Sequence, residues 1–108
     1  MITVLAAIAA LAAGPIAKFD ARPPLAEYQS TAKLEDAERC LIDLAQAPAP
    51  SVYRQPDRPN DVMLLWFKTA DGGGVALWRI DLHRGGNGTH VKSWMPLKQA
   101  AECTPTAG

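Results

Sequence analysis

Residues 62–95 read VMLLWFKTADGGGVALWRIDLHRGGNGTHVKSWM. Three runs rich in aliphatic and aromatic residues, at 62–70, 75–84 and 89–95, are separated by two glycine-rich tracts. Such runs are typical of strands, and the Asp-Gly and Asn-Gly dipeptides between them favour tight hairpins. Both glycine tracts lead into strands, so they do not resemble phosphate-binding loops, which precede a helix. The stretch therefore predicts a three-stranded antiparallel meander.

Alternation assigns the two faces of this meander, because successive residues of a strand point to opposite sides. We place residues 70 and 75 opposite each other, and likewise residues 84 and 89. The first face is apolar apart from one serine and should receive a helix. Its members are Met63, Leu65, Phe67, Trp78, Ile80, Leu82, Val91, Ser93 and Met95. The second face is mixed. Its members are Val62, Leu64, Trp66, Lys68, Leu77, Arg79, Asp81, His83, His90, Lys92 and Trp94.

The clearest helix is predicted at residues 31–46, with Thr31 or Ser30 as its N-cap. Its apolar residues recur three and four positions apart and form one stripe. The stripe consists of Leu34, Ala37, Leu41 and Leu44. Residues 51–55 are flanked by prolines, which confine a fourth strand to the sheet edge. Pro96 suits the first turn of a short helix at 97–103.

The two cysteines, Cys40 and Cys103, are 63 positions apart, and neither has the nearby cysteine that a zinc site of the C-x-x-C type needs. In an exported chain this pair predicts one disulfide. The alternative is two unrelated buried thiols. The predicted architecture is thus a single α+β domain over residues 31–108. One amphipathic helix packs on a sheet of three or four strands, and the disulfide ties back the C-terminal helix.

The N-terminus predicts export. Residues 1–12 are apolar apart from Thr3 and end in Ala-Leu-Ala, a small-x-small cleavage site typical of a signal peptide. The alternatives are an uncleaved anchor or a buried N-terminal helix. Residues 13–30 carry three prolines and are expected to run extended over the surface. We therefore expect a periplasmic or secreted protein.

Charge and composition narrow the function classes. Lys and Arg together number 11, as do Asp and Glu, and the basic residues are dispersed, so no nucleic-acid partner is expected. The first apolar run is shorter than the ~20 residues of a stable membrane span. No nucleophile, base and orienting group can be assembled, so we expect no enzyme and no cofactor.

Two groups on the mixed face are candidate sites. Trp66, Arg79 and Trp94 form one row, a guanidinium between two indoles, which either stacks on itself or offers anchors to a partner. His83 and His90 lie opposite each other with Asp81 close by, a weak candidate site for a divalent transition metal. The alternative for the histidines is two solvated imidazoles at a turn.

The sequence thus predicts an exported, non-enzymatic interaction or structural module that binds a protein partner or self-associates. The mixed face or the edge strand at 51–55 would serve as its binding surface. Residues 14–30, a second copy or a partner should cover the apolar residues of the mixed face, because exposed patches of that kind are rare in monomers. Two alternatives remain, namely a small-ligand or metal carrier that uses His83 and His90, and an enzyme with no identifiable site.

Overall fold

A computed structural model, which describes residues 14–45, 47–70 and 73–107, shows five strands in one antiparallel sheet. The spatial order is β1-β5-β4-β3-β2. The strands are β1 (Ala26–Ser30), β2 (Ser51–Gln55), β3 (Arg58–Ala70), β4 (Gly73–Gly85) and β5 (Gly88–Ser93). This confirms the α+β class and the central meander. The predicted edge strand is β2, and β1 is a fifth strand that was not predicted. The predicted signal peptide, residues 1–12, lies outside the described residues.

Three helices accompany the sheet in the described part of the chain: α1 (Pro15–Asp20), α2 (Leu34–Ile42) and α3 (Leu97–Cys103). Residues of α2 and α3 share the main core cluster with one side of the sheet, which we call the inner face. The opposite side, which α1 contacts, is the outer face. Cys40 and Cys103 form a disulfide that joins α2 to α3, with Cα atoms 5.4 Å apart. The predicted disulfide is confirmed.

Helix α2 is shorter than predicted. Its N-cap is Lys33, which makes no side-chain capping bond, whereas Ser30 ends β1. The Ser30 hydroxyl instead accepts a hydrogen bond from the Ala32 amide at 3.1 Å. The helix ends at Ile42, so Leu44 packs against the core from beyond it. The other three stripe residues, Leu34, Ala37 and Leu41, are buried as predicted.

A β-bulge between β3 and β4 reverses the predicted faces of β3. Phe67 pairs with Ala76 and Trp66 pairs with Trp78, which leaves Leu77 as an extra residue of β4. A one-residue change of register moves every side chain to the other face. The predicted faces of β5 and of β4 from Trp78 onward are therefore correct, and those of β3 are wrong. The β3 residues in the core beneath the helices are Val62, Leu64 and Trp66.

Residues 13–30 were expected to be extended, and the described part from residue 14 onward contains a helix and a strand. Helix α1 has Pro15 in its first turn, where a missing N–H costs nothing, and it ends before Pro23. Strand β1 then pairs with β5, from Ala26 opposite Ser93 to Ser30 opposite Thr89. The C-terminal segment covers the free edge of β1, because Thr31 donates to Pro105 O and Ala107 donates to Gln29 O.

The β4–β5 hairpin has the predicted register, with Arg84 opposite Thr89. Its two turn residues are Gly86 and Asn87, and Gly86 has φ +59°, which suits a turn that needs a positive φ at its first position. Gly88 lies against β1, since a Cβ placed there would be 2.0 Å from Ser30 O. Glycine is thus required at this position for β1 to reach the sheet.

None of the helices in the described ranges has the length and apolar character needed to cross a bilayer.

Candidate functional site

Arg79 is the central residue of the outer face. Its side chain is only 5% exposed, yet it makes four hydrogen bonds. Two go to the carboxylate of Asp81, at 2.8 and 2.7 Å, and two go to α1, at Ile16 O and Asp20 Oδ1, both at 2.8 Å. Burial alone would lower the pKa of Arg79, but the bonds and charges of Asp81 and Asp20 outweigh it and raise that pKa. The guanidinium is therefore a fixed cation that ties α1 to the sheet.

Helix α1 covers the apolar part of the outer face. Phe19 is buried there in a cluster with Leu65 and Ala76, and its ring meets Trp94 edge to face at 6.1 Å. The Trp94 indole donates to Arg22 O at 3.1 Å, just beyond the helix. Residues 14–30 therefore cover part of this face, which is one of the three kinds of cover that the sequence predicted for its apolar side chains.

Between α1 and β2 the outer face remains open and forms a groove of about 540 Å³, which we call the outer groove. This volume is within the ~300–1,000 Å³ typical of ligand clefts. Ile16 of α1 and Tyr53 of β2 line it and are 41% and 43% exposed. Met63 is half-buried and also lines the groove. The outer groove thus combines accessible apolar side chains with the fixed Arg79.

The ionic partners of the outer groove leave two cations unpaired. Asp20 and Asp81 both bond to Arg79, and Asp61 bonds to His83. Arg58 and Lys92 also line the groove, and neither forms a direct ion pair with a residue in the described ranges. Lys92 lies cross-strand from Glu27 and Asp81, and its charge contributes to the lowered pKa of Glu27. Four Arg and Lys residues and three Asp residues line the groove, and the lining residues Arg54 and His90 bond in turn to Glu38 and Glu27.

His83 and His90 are opposite each other on β4 and β5, as predicted. Each imidazole bonds to a carboxylate of the flanking strand: His83 Nδ1 contacts Asp61, and His90 Nε2 lies 2.8 Å from Glu27 Oε2. The hydrogen bond with His90 is the main reason why the pKa of Glu27 is lowered. The two rings thus take part in an exposed polar row across four strands.

The predicted row of Trp66, Arg79 and Trp94 does not form. Arg79 and Trp94 do meet on the outer face, where the guanidinium lies 4.9 Å from the indole centroid. Trp66 lies on the inner face, 1% exposed and edge to face with Trp78, because the bulge at Leu77 shifts the register. Its indole Nε1 makes no hydrogen bond to the described residues. It is a core residue, inaccessible to a partner.

The weak candidate metal site at His83, His90 and Asp81 is also altered. Asp81 is engaged by Arg79, and no cluster of three or more His, Cys, Asp or Glu suited to a metal occurs within the described ranges. Met63 was predicted on the face that receives the helix but lines the outer groove, and no sequence pattern indicated Ile16 or Tyr53 as groove residues. The alternation of β3 would have placed Met63 correctly if the bulge had been recognised.

Comparison with protein-family models, with curated proteins and with solved structures found no match to this chain.

Proposed function

We propose that the protein is a small, exported, non-enzymatic binding module whose binding surface is the outer groove. The observation that carries the proposal is the incomplete cover of the outer face. Helix α1 buries Phe19 there but leaves a groove of about 540 Å³ beside Arg79, with Ile16 and Tyr53 accessible. Tyrosine is a frequent anchor of protein interfaces, and the bonds of Arg79 to α1 and Asp81 hold the surface beside Tyr53 in shape.

The sheet edges favour the groove over the edge strand as the binding surface. The C-terminal segment bonds along β1. Strand β2 has five residues, lies between Pro50 and Pro56, and carries a bulge between Tyr53 and Gln55. Prolines, bulges and short length are features that protect an edge from pairing with another strand. Recognition through side chains in the groove therefore has more support than strand addition at β2.

Export is supported by two features. Residues 1–12 resemble a signal peptide, and the Cys40–Cys103 disulfide is of a kind that persists in oxidising compartments. A periplasmic or secreted location follows from the proposal. It predicts that the mature chain begins at Ala13, which mass spectrometry of the protein purified from its own cells would measure.

A matched capture experiment tests the groove. The mature domain and two variants, Tyr53→Ser and Leu25→Ser, are immobilised and exposed to envelope extract. Each variant removes one exposed apolar side chain, but Leu25 does not line the groove and is 69% exposed. Partners retained by wild type and Leu25→Ser and lost by Tyr53→Ser would support the proposal. Equal retention by all three proteins would contradict it.

A metal carrier is a second candidate, favoured by the pairing of His83 opposite His90. Each ring has one nitrogen bonded to a carboxylate, the arrangement that orients histidine ligands in many metal sites. A titration with Zn²⁺, monitored by the NMR signals of the two imidazoles, distinguishes the metal carrier from the binding module. A joint shift of both signals at micromolar metal would favour the carrier, and unchanged signals would exclude it.

A further inference from the structure

The unpaired charges of the outer groove indicate what kind of ligand it takes. The three aspartates that line it are already bonded to Arg79 or His83, so the groove has no free carboxylate to offer a cationic ligand. Arg58 and Lys92 remain without an ion pair to the described residues. A ligand that forms new ion pairs with Arg58 and Lys92 would be anionic, because complementary potentials guide recognition.

The apolar residues of the groove narrow the ligand further. Ile16 has an aliphatic and Met63 a thioether side chain. The aromatic rings of the described lining are the Tyr53 phenol and the imidazoles of His83 and His90, each imidazole bonded to a carboxylate. Nucleobases are bound chiefly by stacking on aromatic faces, and the described lining has no Phe or Trp for this. Aliphatic and thioether groups beside cations instead suit a chain that alternates carboxylates with aliphatic side chains.

We propose that the outer groove binds an extended acidic peptide segment, with carboxylates on Arg58 and Lys92 and an aliphatic side chain between Ile16 and Tyr53. This inference rests on the proposed function, because it names the ligand class of the same groove. Arg79 is bonded to Asp81 and α1, so it holds the shape of the groove while Arg58 and Lys92 are free to contact the ligand.

The probe is the blocked pentapeptide Glu-Leu-Glu-Leu-Glu, titrated into ¹⁵N-labelled mature protein. The matched peptide Gln-Leu-Gln-Leu-Gln has the same shape without charge. We expect amide shifts around the groove with the acidic peptide, and weaker binding of the neutral one.

Arg58→Gln and Lys92→Gln should each weaken binding two- to fivefold, the range for exposed ion pairs of about 0.4–1 kcal/mol. Lys98→Gln should leave the binding of the acidic peptide unchanged, because Lys98 is an exposed residue of α3 that does not line the groove.

Several results would overturn the inference. Equal binding of the two peptides at the groove would show that charge plays no part, while the groove itself would remain the binding surface. Shifts caused by dextran sulfate but not by the acidic peptide would assign the groove to an anionic polysaccharide. No shifts with millimolar acidic peptide would also reject the inference, and the capture experiment with Tyr53→Ser would then decide the proposed function separately.

Discussion

Arg79 shows how one residue combines stability with the shape of the groove. It replaces its lost hydration with four hydrogen bonds, two of them to residues of α1. We expect Arg79→Met to lower the free energy of unfolding by about 2–3 kcal/mol. This is less than the ~3–5 kcal/mol for breaking a fully buried pair, because Asp20 is 58% exposed and can return to water.

Denaturant unfolding measures this difference, and Arg58→Met is its control. Arg58 lines the same groove but is exposed and makes no ion pair with the described residues, so its loss should change stability by less than about 0.5 kcal/mol. Equal losses for the two variants would mean that Arg79 does not hold α1 to the sheet.

Glu35 on α2 makes the stability of the fold depend on pH in the acidic range. The hydrogen bond from Arg84 is the main reason why the pKa of Glu35 is lowered below its ordinary value of 4.5. A carboxyl whose pKa is lowered by folding stabilises the fold above its ordinary pKa, and this contribution is lost as the pH falls through the lowered value. Glu35→Gln should therefore flatten the fall of stability below pH 4.5.

Denaturant midpoints measured from pH 7 to pH 2.5 would show this change. Asp36→Asn is the matched control, because Asp36 is also an exposed acid in the first turn but forms no ion pair with the described residues. The same flattening in both variants would assign the effect to the helix dipole and not to Arg84.

At the scale of elements, the close approach of β1 to the β4–β5 hairpin depends on Gly88. A Cβ at this position would meet the backbone oxygen of Ser30, which cannot move without displacing β1. We expect Gly88→Ala to cost about 1–3 kcal/mol, the usual range for overpacking. Hydrogen exchange should show faster exchange of the β1 amides. Gly85→Ala is the control, since the nearest atom to its Cβ would be 3.9 Å away. Equal effects at both positions would contradict the contact.

Helix α1 should shield Trp94, because the Phe19 ring packs against that indole. Phe19→Ala is expected to shift tryptophan emission to the red. The loss of stability should stay below the ~3–5 kcal/mol of a central Phe→Ala change, because Phe19 belongs to a small cluster outside the main core. Ile16→Ala in the same helix removes an exposed side chain and should leave the emission unchanged. An unshifted spectrum for Phe19→Ala would show that α1 does not cover this face.

Sequence patterns could predict the central strands and the stripe of α2, because both depend on hydrophobic periodicity. They could not predict β1, whose inward residues are Ala26, Tyr28 and Ser30 and give no apolar alternation. Strand β1 is held instead by pairing with β5 and by the hydrogen bond between Tyr28 and Thr104. The bulge at Leu77 was equally hidden, because no glycine marks it, and it alone moved Trp66 into the core.

At the scale of the whole molecule, the two faces of the sheet have different roles. Helices α2 and α3 cover the inner face, and the Cys40–Cys103 disulfide joins them there. Closing a loop of 63 positions contributes about 4 kcal/mol in the chain-entropy model, a large share of the ~5–15 kcal/mol of a typical domain. The cross-link lies on the inner face and does not cover the outer groove, which we propose as the binding surface.

The most direct test of the outer groove as the binding surface is photo-crosslinking in the cells that make the protein. A benzoylphenylalanine replaces Tyr53 in the groove or, in a second strain, the exposed Leu25 outside it. After irradiation, mass spectrometry should find adducts to another molecule at position 53 and none at position 25. Adducts at position 25 alone, or none at either position, would contradict the account.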